Sequence, residues 1–96
     1  MSRKYFVYIL TNYKNSILYI GITNSLERRV FEHKNHLNPD SFTAKYRLYK
    51  LIWFQEFEDV RDAILVEKKI KGWNRNKKIN LIKEMNINFI DLFTLR

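Results

Sequence analysis

The 96-residue chain has no cysteine, two glycines and one proline, and each scarcity closes off a class of function. Without cysteine there is no disulfide framework, no thiolate metal site and no thiol nucleophile. With only Gly21 and Gly72 to work with, no Walker-type phosphate loop can be written. There is no Gly-x-Ser-x-Gly run, no Asp set against either histidine by sequence, and no Cys/His cluster of zinc spacing. No apolar run approaches the roughly 20 residues of a membrane span. The N-terminal MSRKYFVYIL lacks the long apolar region and small-residue cleavage site of a signal peptide, so the cytoplasm is the expected compartment. Repeats, low-complexity stretches and linkers are missing too, and one domain over residues 1–96 is expected.

Acidic residues are also few. Ten carboxylates face 18 lysines and arginines, giving +8 and a pI near 9.8. A small domain this basic suits a polyanion, because neutralising phosphates releases condensed counterions. A plain lysine bias of the genome accounts for the charge equally well. The 46% hydrophobic and 16% aromatic content is that of a folded domain, not a disordered one.

The informative stretch is Tyr5 to His33. Tyr5–Leu10 and Ile17–Ile22 are β-branched and aromatic runs, separated by the polar Thr11–Ser16. They predict a hairpin. With its turn centred near Tyr13 and Lys14, Tyr8 and Tyr19 become cross-strand neighbours on one face, beside an opening left by Gly21. A helix follows from Leu26 to about Asn35, with Asn24 or Ser25 as N-cap. Leu26, Val30 and His33 share its inner stripe, Arg29 lies beside them one turn before His33, and Arg28 falls on the far side.

Asn35–Tyr46 reads as a loop from its Asn-Pro-Asp-Ser cluster. A third strand, about Leu48–Phe57, carries Tyr49, Leu51, Trp53 and Phe57 on one face and Leu48, Ile52 and Phe54 on the other. Two apolar faces predict a sheet covered on both sides. Glu58-Asp59 favour the start of a helix over about Val60–Lys71, closed by Gly72 at C′. Val60, Ala63, Ile64 and Ile70 form its expected buried stripe, with Glu67 in the middle. A carboxylate there must find a metal, hydrogen bonds or a cation such as a nearby arginine. A last helix, about Lys77–Met85, points Ile79, Ile82 and Met85 inward. The apolar tail that follows packs back, as a helical turn or extended chain, and is placed to cover an edge strand.

At Phe6-Val7-Tyr8 and Tyr19-Ile20-Gly21, followed by Thr23, Leu26, Arg29, His33 and the later Glu67, the sequence resembles the GIY-YIG nuclease domain. It is most similar to the small stand-alone bacterial members, akin to the nuclease module of the excision-repair incision subunit. The likeness runs from about Lys4 to Met85, which makes residues 4–85 the core and 86–96 a tail packed on it. The resemblance implies that Tyr8, Tyr19, Arg29 and Glu67 hold the catalytic and metal-binding positions, with His33 a frequent additional member. Departures exist: Phe6 stands where the family name has glycine. Ile22 replaces a lysine of the excision-repair branch, which weakens that branch's proton network here. The asparagines used in some branches have only ambiguous counterparts in Asn74, Asn76 and Asn80, which are not carried over.

Read as chemistry, a set of Tyr, Arg, His and Glu suits a metal-assisted phosphodiesterase. Arg29 offers a bidentate fork for phosphate. Tyr8 or Tyr19 would orient or deprotonate water, helped by Arg29, His33 or a metal. Glu67 with several waters suits Mg²⁺, or Mn²⁺. Each residue alone has a structural explanation: an aromatic pair, a solvated arginine, a hydrogen-bonded core histidine, an ion pair. The spacing of all of them together favours a site. Lys45, Arg47, Lys77 and Lys78 are candidates for phosphate contacts.

The expectation is therefore an α/β (α+β) domain, a three-stranded, mainly antiparallel sheet flanked by helices in the order β-β-α-β-α-α. Its expected activity is divalent-metal-dependent DNA endonuclease, directed by structure or damage. A protein partner or homo-oligomer would supply specificity, since no second domain reads bases. A DNA-binding protein without cleavage and a protein-interaction module are the rivals.

Overall fold

The computed structural model describes residues 3–35 and 41–95, so His36–Asp40 of the expected loop, and Arg96, lie outside the described residues. The order is β1 (Tyr5–Thr11), β2 (Leu18–Thr23), α1 (Leu26–Lys34), α2 (Phe42–Lys45), β3 (Lys50–Phe57), α3 (Val60–Lys71), α4 (Arg75–Met85) and a 3-10 turn at Leu92–Leu95. This is the expected β-β-α-β-α-α order with one addition. The short helix α2 forms inside the supposed loop because Ser41 caps it, its hydroxyl accepting from Ala44 N at 3.2 Å.

The sheet runs β2-β1-β3 and both pairings are antiparallel. Central β1 is buried from Val7 to Thr11 because it is paired along both sides and covered on both faces. The hairpin turn corrects the expected register. Asn12 Oδ1 accepts from Ser16 N at 2.8 Å, and Asn15 turns through φ 57°, which Asn tolerates better than most residues. The turn therefore centres later than Tyr13–Lys14. Tyr8 lies opposite Gly21, Leu10 lies opposite Tyr19, and the two tyrosines are diagonal neighbours.

On the other side, Ile9 pairs with Trp53 but Leu10 pairs with Leu51, so Ile52 is an extra residue bulged into β3. Simple alternation placed Leu51 and Trp53 on one face; the bulge separates them. Trp53 and Ile52 join Val7, Ile9, Ile20, Ala63, Ile70, Ile82 and Phe89 under α3 and α4. Leu51 joins Tyr8, Leu10, Val30 and Leu48 on the α1 face. Within the helices the buried stripes are narrower than expected. Ala63, Val66 and Ile70 face inward from α3, whereas Val60, Ile64 and Met85 are exposed. Gly72 caps α3 at φ −79°, so its left-handed freedom is unused.

The tail closes the β3 edge with side chains. Buried Asn86 donates through Nδ2 to Ile52 O and Ile90 O and accepts from Ile90 N. Asp91 accepts from Leu51 N and Phe93 N, and pairs with Lys34 of α1. The bulge at Ile52 thus has its outward backbone groups met.

Candidate active site

Tyr8 from β1, Tyr19 from β2 and His33 from α1 form a triangle of rings, with centroid separations of 6.3, 6.3 and 6.1 Å. Gly21 makes it possible. A Cβ there would sit 2.5 Å from Tyr8 Oη and 3.0 Å from Tyr19 Cε2, so the Tyr8 phenol occupies the space a side chain would need. His33 reaches the triangle because it falls on the α1 stripe with Leu26 and Val30. Ser25 is the N-cap residue that starts that helix, although its hydroxyl makes no capping bond; Thr23 Oγ1 instead accepts from Ser25 N and donates to Ser25 O.

The imidazole bridges two neighbours. Nδ1 lies 2.8 Å from Thr43 Oγ1, and Nε2 lies 3.5 Å from Tyr8 Oη. One assignment serves every member: Nδ1–H donates to Thr43, whose own proton goes to Ser41 Oγ at 3.1 Å, and the Nε2 lone pair faces the tyrosine hydroxyl. Burial lowers the His33 pKa from its ordinary value, and the Arg29 charge lowers it further. The ring is therefore neutral near pH 7. Burial raises the Tyr8 pKa strongly, Tyr19, Glu32 and Glu67 add to the rise, and Arg29 opposes it. Tyr8 is thus a proton-bearing phenol.

Arg29 stands one turn before His33. Its Nη1 is 3.4 Å from Glu32 on the same helix, but its Nε is buried and makes no hydrogen bond among the described residues. The Arg29 side chain is 41% exposed, so its guanidinium end can be reached from solvent. The Glu67 side chain is only 13% exposed and pairs with Lys71, one helical turn on, at 2.7 Å. Its partner is this half-exposed lysine, not the arginine that the structural alternative to a metal invoked.

The expected phosphate contacts divide. Lys45 and Arg47 are exposed at the end of α2, on the segment that carries Thr43 to His33. Lys77 and Lys78 stand on α4, the helix of the other sheet face, and Lys77 Nζ lies 4.6 Å from the Trp73 ring centre. Thr43 was not foreseen. The legible signal was Ser41, three residues before Ala44, which announces a helix able to hold Thr43 in place.

The three-stranded antiparallel sheet carries two phenols on adjacent strands, and an arginine and a histidine on the next helix, an arrangement matched by a nuclease family. Residues 4–80 match the GIY-YIG catalytic domain, and the chain belongs to that family. UPF0213 protein CPE1444 of Clostridium perfringens is 39% identical over 82 residues, covering 85% of this chain and 86% of that protein. A UPF0213 protein of Limosilactobacillus reuteri is 32% identical over 92 residues, covering 95% of each. The solution structure of UPF0213 protein BH0048 from Bacillus halodurans shares the fold, with a TM-score of 0.58 at 24% identity over 90% of this chain and 89% of that one.

Proposed function

We propose that the protein is a divalent-metal-dependent endonuclease that hydrolyses phosphodiester bonds of DNA in the cytoplasm, directed by DNA structure or damage. The observation that carries this reading is the Tyr8–Tyr19–His33 triangle with the Arg29 charge acting on both Tyr8 and His33. In this reading the Arg29 fork holds the scissile phosphate and neutralises charge that grows on it. Neutral His33, fixed by Thr43, accepts the Tyr8 O–H at Nε2 and so aims the lone pairs of the phenol oxygen for hydrogen bonding to the attacking water. Tyr19, partly exposed where Tyr8 is buried, orients the attacking water.

The residues fit a metal of one kind. Among the described residues no three of His, Cys, Asp or Glu gather to hold an ion. Glu67 is a single, mostly buried carboxylate, and one oxygen ligand suits Mg²⁺ or Mn²⁺, which keep most of their waters. When bound, such an ion supplies Lewis acidity toward the phosphate. Glu67 would hold it once Lys71, half-exposed on its flexible stem, swings away. A protein partner or second copy supplies whatever specificity a single small domain lacks.

The test is Glu67→Gln, measured for cleavage of branched, nicked, single-stranded and duplex DNA with Mg²⁺ or Mn²⁺ against a chelator. Because Lys71 is half-exposed, losing the pair should cost no more than about 0.5 kcal/mol, within ~4 °C of melting temperature. Cleavage should fall by orders of magnitude while DNA affinity in chelator holds or rises. A fully active, metal-dependent Glu67→Gln protein refutes the metal-ligand role. Binding without any cleavage by the wild type leaves a DNA-binding protein instead.

A further inference from the structure

We infer that Phe42 is a stacking platform for an unpaired base of the DNA strand whose phosphate enters the Arg29 site, an inference that rests on the function proposed above. Phe42 is a large apolar side chain left 51% exposed on α2, a helix of only four residues. Its ring is nonetheless well held. Tyr19 stacks with it at 6.3 Å between centroids and 28° between planes, and Tyr46 meets it at 4.7 Å and 50°. A ring fixed this way gives up little rotamer freedom when a base lands on it.

Three features point to a nucleotide. Phe42 is one ring away from Tyr19, which is part of the phenol–imidazole triangle. The helix that carries it is tied to the triangle by the 2.8 Å contact of Thr43 with His33, so platform and reacting groups hold one geometry. The charge around it is positive: Lys45 Nζ lies 5.4 Å from the Tyr46 ring centre, and exposed Arg47 follows. An aromatic face beside cations is how single-stranded nucleic acid is gripped without sequence preference. Bases within a duplex are already stacked and do not offer a free face. The platform therefore selects single strands, flaps and distorted sites over plain duplex.

The experiment compares Phe42→Leu, which keeps an apolar side chain without a ring, with Phe42→Tyr, which keeps the ring. Whole protein in chelator at low salt is titrated into a single strand carrying 2-aminopurine, and into the matching duplex. Stacking predicts altered 2-aminopurine fluorescence with the wild type, a loss of single-strand affinity of about fivefold to a hundredfold in Phe42→Leu with little change for duplex, and recovery in Phe42→Tyr. Circular dichroism confirms that each variant is folded. An equal loss on both DNAs, or none on either, overturns the platform; if wild-type cleavage persists, the nuclease reading stands without it. The predicted binding pattern from a protein that never cleaves DNA overturns the nuclease reading and keeps the platform. A wild type that binds neither DNA at low salt overturns both.

Discussion

Replacing Gly21 by alanine tests the packing of the site, because two physical effects predict opposite signs. Gly21 does not have positive φ, so its backbone suits any residue. Removing glycine's freedom from the unfolded chain would then stabilise the protein by about 0.4–1 kcal/mol. Against that, the new Cβ would stand 2.5 Å from Tyr8 Oη and 2.6 Å from Tyr8 Cζ. The Tyr8 ring is 2% exposed and cannot swing into water, so the strand or ring must shift, at about 1–3 kcal/mol. The net expectation is a loss of up to about 2.5 kcal/mol, or up to roughly 20 °C of melting temperature in a domain of this size. Moving the ring also lengthens a Tyr8–His33 approach that is already 3.5 Å, so cleavage should fall further than stability explains. Tyr8→Phe in the Gly21→Ala background removes the 2.5 Å conflict but leaves the one at Cζ, and should restore stability in part. Thermal melting of the single and double variants measures the two stability effects, and a cleavage assay measures the third. A Gly21→Ala protein that melts higher than the wild type refutes the steric account.

Two further outcomes follow from the site. Arg47 sits at φ 56° just after α2, with its N–H on Ala44 O and Leu48 N on Thr43 O, a helix end that favours glycine. Arg47→Gly should therefore raise stability by up to about 1 kcal/mol while weakening DNA binding alike across sequences, with a salt slope smaller by about one; a lower melting temperature contradicts this. His33 has a folded-state pKa below its unfolded value near 6.5, so the unfolded chain binds more protons and stability falls as pH drops through 6.5 toward the lowered value. His33→Gln should lose that part of the slope between pH 7.5 and 5, measured by melting, and an unchanged slope rules the assignment out.

The sequence made the hairpin, the α1 stripe and the order of elements legible because each rests on local pattern: paired apolar runs, and Leu26, Val30 and His33 at helical spacing. It also put Tyr8 and Tyr19 on one face, since a period of two does so in either register, but the space expected beside Gly21 is filled by the Tyr8 ring. What it did not carry was geometry set by single residues. The register depended on Asn12 and Asn15, whose side chain and left-handed backbone place the turn. The faces of β3 depended on a bulge at Ile52 that no alternation announces. Thr43 was hidden because its role appears only when Ser41 caps a helix too short to show periodicity.

The tail has a bearing on modularity. The family match stops at residue 80, yet the β3 edge is met by Asn86 and Asp91, which lie beyond it. A fragment cut at the family boundary would present Leu51 N–H and Ile52 C=O to solvent on a bulged, apolar strand, a template for pairing with another copy. The motif is thus not a cassette that can be lifted out where the family match ends. Any fusion or transplant that keeps the site but omits the tail should be expected to self-associate through β3, however intact its tyrosines remain.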